Sequence, residues 1–116
     1  MLVQVNTDNH IKGGEELARR VEAEVEGTLG RFGEQITRVE VHLHDENGPK
    51  GGDRDIRCLM EARVAGHQPV AVSCAAASLD DAVAGAVDKL EKALDHLFDK
   101  LTDHKGRTSF GGDRAI

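Results

Sequence analysis

Residues 54–76, RDIRCLMEARVAGHQPVAVSCAA, decide the fold. From Arg54 to Ala65, Ile56, Cys58, Met60, Ala62 and Val64 alternate with Arg57, Leu59, Glu61 and Arg63. A period of two puts the apolar set on one face of a strand and the polar set on the other. Gly66-His67-Gln68-Pro69 is rich in turn formers, and Val70, Val72 and Cys74 resume the alternation. Two alternating runs joined by a short turn predict an antiparallel hairpin. Its apolar face needs a covering layer, and its polar face predicts solvent.

The covering layer follows directly. Ser78 precedes Asp80 and Asp81, an N-cap with an acidic first turn. Leu79, Val83, Val87, Leu90, Leu94, Leu97 and Leu101 then recur by three and four, which predicts a helix running to about Lys105 and ended by Gly106. Upstream, Ile36 to His44 alternates as well, with Thr37, Val39, Val41 and Leu43 on one face and Arg38, Glu40, His42 and His44 on the other. Asp45 to Asp53 contains Asn47-Gly48-Pro49 and Gly51-Gly52 and reads as a loop. Leu17, Val21, Val25, Leu29 and Phe32 mark an earlier helix that Gly30 and Gly33 weaken and end. Leu2 to Asn6 alternates as an opening strand. The order strand, helix, three strands, helix predicts an α+β domain: a four-stranded mixed sheet with both helices on one face. A single domain over 1–105 and a mobile polar tail over 106–116 are expected.

Composition bounds the function. The chain has 116 residues, 15 Lys and Arg against 21 Asp and Glu, a formal charge of −6, and three aromatic residues, Phe32, Phe98 and Phe110. The length supports one small domain. No apolar run approaches the ~20 residues of a membrane span, and no basic-then-apolar leader opens the sequence. Two cysteines suit a reducing cytoplasm, where they act as small core hydrophobes. The acidic balance argues against nucleic acid, whose phosphates call for clustered Lys and Arg.

His42 and His44 share a strand face and form the one candidate metal pair, with Glu40 or Glu61 as the nearest third donor; a solvated polar face explains them without a metal. Cys58 and Cys74 fall on the opposite, inward face, and strand register decides whether they meet. Ser73 and Ser78 lack the setting of a nucleophile. The glycine pairs lack the flanks of a phosphate loop. Nothing supports an enzyme, and no cofactor is implied.

Basic residues remain. Arg19, Arg20 and Arg31 lie on or just after the first helix, Lys89, Lys92 and His96 on one face of the second, and Arg38, Arg57 and Arg63 on the open sheet face. The second helix also carries seven acids, against the three lysines Lys89, Lys92 and Lys100. Its length of about 39 Å, for some 26 residues, exceeds a short strand. Its far end is therefore expected to overhang, offering Leu97, Phe98 and Leu101 to a partner and leaving the protein a monomer or a weak dimer through that end.

Taken with Asn9-His10-Ile11, the Leu17–Phe32 helix and the Ile36–Leu43 strand, the run Ala82-Val83 through Val87-Asp88-Lys89-Leu90-Glu91-Lys92-Ala93-Leu94 resembles the ribosome hibernation promoting factor family, also described as ribosome-associated inhibitor A or sigma-factor modulation protein. The likeness spans residues 2 to about 105. It implies a βαβββα fold akin to double-stranded RNA-binding domains, and a cytoplasmic factor that binds the small ribosomal subunit and sterically blocks messenger and transfer RNA, contacting ribosomal RNA and possibly ribosomal proteins. It implies phosphate contacts from Lys89, Lys92, His96, Arg31, Arg19 and Arg20. Glu24, Glu26, Asp95 and Asp99 stand where the family is commonly basic. Each such acid removes a phosphate contact and adds repulsion. The alternative is an acidic protein-interaction module on the same fold that leaves the ribosome alone.

Overall fold

The structure is a computed structural model that describes residues 1–8, 11, 13–45 and 56–106, the last six of them as backbone. Its elements are β1 (Leu2–Thr7), α1 (Gly14–Leu29), a 3-10 turn (Gly30–Phe32), β2 (Ile36–Asp45), β3 (Ile56–Val64), β4 (Val70–Ala76) and α2 (Leu79–Gly106). The strands form one sheet in the order β1-β2-β3-β4. β1 pairs with β2 in parallel, as a strand–helix–strand crossover requires, and the other pairs are antiparallel. The expected α+β architecture, a mixed four-stranded sheet with two helices, is the observed one.

The alternation sorts the sheet as expected. Val39, Val41, Leu43, Cys58, Met60, Ala62 and Val64 are buried under the helices, while His42, His44, Arg57, Leu59 and Arg63 are exposed on the far side. One phase differs. Thr37, expected on the apolar face, is exposed and its Oγ1 donates to the Arg63 carbonyl at 3.2 Å, while Ile36 is buried. The register slips between Ile36 and Arg38, and such an irregularity lets two residues on one strand oppose one on its partner. Alternation therefore resumes one residue out of step.

Leu17, Val21, Val25 and Leu29 of α1 and Val83, Val87, Leu90 and Leu94 of α2 are buried in the same core. α2 lies over β3 and β4, and α1 packs against β1 and α2. Ser78 caps α2, its Oγ accepting the Asp81 N–H at 3.1 Å. Gly66 turns the β3–β4 connection at φ 79°, a conformation that glycine adopts without a side-chain clash.

The expected overhang is corrected in part. Leu97 and Phe98 are half-buried and pack against the core, and the Phe98 ring meets Phe32 at 5.3 Å between centroids. The 3-10 turn after α1 carries Phe32 under α2, so this stretch has an internal partner. The side chain of Leu101 and the tail beyond Gly106 lie outside the described residues.

Candidate nucleic-acid interface

The six cations expected to touch phosphate sit on the helix layer, and most are already held. Arg20 of α1 pairs with Asp80 at the start of α2. Arg31, in the 3-10 turn, reaches Asp95 at 3.1 Å and Glu91 at 3.4 Å, and its guanidinium stacks 4.3 Å from the centre of the Phe32 ring. The hydrogen bond to Asp95, foremost, holds the Arg31 pKa above its ordinary value. Lys92 pairs with Asp88 one turn earlier at 3.0 Å, with the acid N-terminal to the base, the favoured orientation. Lys89 Nζ donates to the Ser73 carbonyl on β4 at 2.9 Å. Arg19 and His96 are exposed and hold no hydrogen bond or ion pair among the described residues.

Spacing along one helix locates Lys89, Lys92 and His96, but it cannot show these pairings. Asp80 is 60 residues from Arg20, and Glu91 is 60 from Arg31. Only the packing of α1 and its turn against α2 brings them together. Asp95, one of the acids that depart from a basic surface, is thus a counterion seated on that surface's own Arg31.

The open sheet face is built differently. Glu40, central on β2, serves Arg38 Nε at 3.2 Å, His42 Nε2 at 3.5 Å and Arg63 Nε at 3.8 Å. Arg63 also reaches Glu61 at 3.7 Å, and Arg38 donates to Gln4 on β1. The register sets His42 opposite Leu59 and His44 opposite Arg57. These four residues line a shallow hollow of about 340 Å³. The candidate metal pair diverges: His42 turns to Glu40, and His44 Nδ1 lies 3.1 Å from Asp8 Oδ2. Among the described residues no three His, Cys, Asp or Glu side chains converge on one point.

Register also answers the cysteine question. Cys58 and Cys74 are directly opposed on β3 and β4, both as free thiols. Burial, foremost, pushes the Cys58 thiol up to about 12, with smaller contributions from Cys74 and Glu24. A thiol so disinclined to ionise is a poor nucleophile. Ser78 is occupied as the α2 cap. The chemistry available at these surfaces is charge pairing, hydrogen bonding and stacking.

Solved structures share this fold. The N-terminal domain of Thermus thermophilus Protein Y superposes with a TM-score of 0.67 at 20% identity, over 84% of this chain and 99% of that one. A ribosomal subunit interface protein from Coxiella burnetii gives 0.65 at 14% identity, over 85% and 99%. No curated protein sequence matches this chain. Residues 3–102 match the family described as Sigma 54 modulation protein / S30EA ribosomal protein, which covers every element from β1 to the last turns of α2. The chain, with its βαβββα order and its two-helix layer, belongs to that Sigma 54 modulation protein / S30EA ribosomal protein family.

Proposed function

We propose that this protein is a non-enzymatic, cytoplasmic ribosome-associated factor of the hibernation type, which docks on the small subunit and excludes messenger and transfer RNA by its bulk. The observation that carries this reading is the family match over residues 3–102. The near-complete superposition on the Thermus and Coxiella domains supports it, the second of which is named for the ribosomal subunit interface.

Docking through the helix layer is an exchange reaction. Arg19 and His96 meet phosphate directly, whereas Arg20, Arg31 and Lys92 must trade a carboxylate for it, and Lys89 must leave the Ser73 carbonyl. Each exchange returns less than a new contact would, because the displaced acid stays nearby and repels the RNA. Net electrostatic gain is therefore small, and affinity relies on shape and on contacts with ribosomal proteins. Co-sedimentation of the purified chain with small subunits at low and moderate salt tests this. The protein is expected in the pellet at both salts, and its absence at both overturns the reading.

The acidic helix layer favours a second reading, an interaction module that docks on a basic protein. Five glutamates stand against two arginines on α1. Recovery of one protein partner without ribosomal RNA in a pull-down would support that reading over the first.

A further inference from the structure

We propose that Cys58 and Cys74 are a reversible dithiol–disulfide pair: as thiols they fill the core beneath α2, and hydrogen peroxide closes them into a bridge that staples the edge strand β4 to β3.

Register supplies the geometry. Cys58 and Cys74 are directly opposed across the antiparallel β3–β4 ladder, so both side chains leave the sheet on its helix side. Opposed residues in such a ladder have Cα atoms about 4.5–5.5 Å apart, within the roughly 4.4–6.8 Å that a disulfide spans. Their Cβ atoms, about 4.5–5.5 Å apart, stand slightly wider than a relaxed bridge, so the strands draw together as it forms and small thiols reopen it. Beyond burial, the charge of Cys74 opposes ionisation of Cys58, which only a close neighbour does.

The two sulfurs differ in what can reach them. Cys58 lies on an inner strand and is fully buried, whereas Cys74 lies on the edge strand and is half-buried. α2 sets its one interior glycine, Gly85, against Cys74: a Cβ there would stand 2.4 Å from Sγ. Gly85 is itself half-exposed, so no side chain of its own shields the sulfur. Glycine weakens a helix interior, and an alanine at 74 would let α2 carry alanine at 85. Inert filling therefore accounts for Cys58 but not for the room kept at Cys74.

These differences order the chemistry. The Cys74 sulfur attacks one peroxide oxygen and the O–O bond breaks, giving a sulfenic acid; the hydroxide released takes the thiol proton and leaves as water. The Cys58 sulfur then attacks the Cys74 sulfur. The S–S bond forms, the S–O bond breaks, and the departing hydroxide takes the Cys58 proton as a second water. Two thiols give up two electrons in all, and one peroxide is reduced to two waters. Burial keeps Cys58 from meeting peroxide itself, and direct opposition offsets the thiolate population that it lacks. A cytosolic pair that rests reduced and bridges under peroxide is a redox sensor, a usual role for a disulfide in that compartment.

The test exposes the full, reduced chain to a small excess of hydrogen peroxide in native buffer. The chain is expected to lose about 2 Da, to show no alkylatable thiol after unfolding, to run as a monomer without reductant, and to recover both thiols in dithiothreitol. The bridged form is expected to melt about 10 °C higher, because closing residues 59–73 into a loop restricts the unfolded chain. Cys58→Ala is expected to stall at a Cys74 sulfenic acid that dimedone traps, and Cys74→Ala to leave the Cys58 thiol unreacted while folded. An unaltered chain that keeps both thiols, ends as a Cys74 sulfinic acid or links two chains through Cys74 overturns the proposal. So does bridging that appears only at urea concentrations that unfold the chain, since the folded register would then play no part.

Discussion

The two sides of this small sheet treat their cations in opposite ways. On the helix layer, Arg20, Arg31 and Lys92 each hold a carboxylate, two of them across the α1–α2 boundary, and acids remain in excess. On the open face, Arg38, His42 and Arg63 share Glu40, Arg63 also reaches Glu61, and His44 lies against Asp8. The same residue types therefore mean different things: on the first side arginine helps clamp the helices, and on the second Arg38 and Arg63 tie neighbouring strands together through one shared carboxylate. Counting Lys and Arg along a helix misjudges both.

The comparison has physical meaning only if one core supports both surfaces, and Leu90, fully buried between them, tests this most severely. Leu90→Ala is expected to cost about 2–5 kcal/mol, with far-UV circular dichroism and Cys58 thiol protection lost in a single urea transition. Separate transitions would mean that the two sides are independent. Gly85 makes a narrower contact: a Cβ there would collide with Cys74 Sγ, where α2 crosses the edge strand. Gly85→Ala is expected to cost about 1–3 kcal/mol, and adding Cys74→Ala to recover most of it in thermal unfolding.

Cys58 gives a pH test of the same layer. Its folded pKa, raised to about 12 from an ordinary 9.0, means that the unfolded thiol ionises first. Its contribution to stability is complete below about pH 9 and is lost as pH rises through about 12. Urea stability at about pH 10.5 should be lower by roughly 2 kcal/mol on this account, a fall that Cys58→Ala removes. Unchanged pH dependence in that variant contradicts the burial argument.

Glu40→Gln probes the open face directly. Losing the shared counterion of Arg38, His42 and Arg63 is expected to cost about 1 kcal/mol in thermal unfolding, and an unmoved midpoint would show that the three cations do not depend on it. The smallest effect is expected at the exposed clamp on the other side. Asp95→Asn, which loosens Arg31, should leave the unfolding midpoint unmoved and strengthen small-subunit association at low salt only, since added salt screens the freed charge.

Much of this was legible along the chain, for reasons particular to each element. The alternation of Ile56 to Val64 and the three-and-four stepping of Val83 to Leu94 admit one packing solution, and the observed core contains both sets. Thr37 was misplaced because a register slip leaves no mark in the hydrophobic pattern. Phe98 was read as overhang from helix length alone, since nothing local shows that the turn after α1 brings Phe32 beneath it. The clamps on Arg20 and Arg31 join residues 60 apart, a distance in sequence at which no periodicity applies. The charge of −6 first argued against nucleic acid. That sum hides carboxylates already held by Arg20 and Arg31, pairings that only the helix packing brings about.

The central claim is occlusion of the small subunit, and displacement measures it most directly. Small subunits carrying a fluorescent messenger strand and transfer RNA, titrated with this protein at low salt, are predicted to release both as the protein binds. Stable subunits holding protein, messenger and transfer RNA together would contradict it.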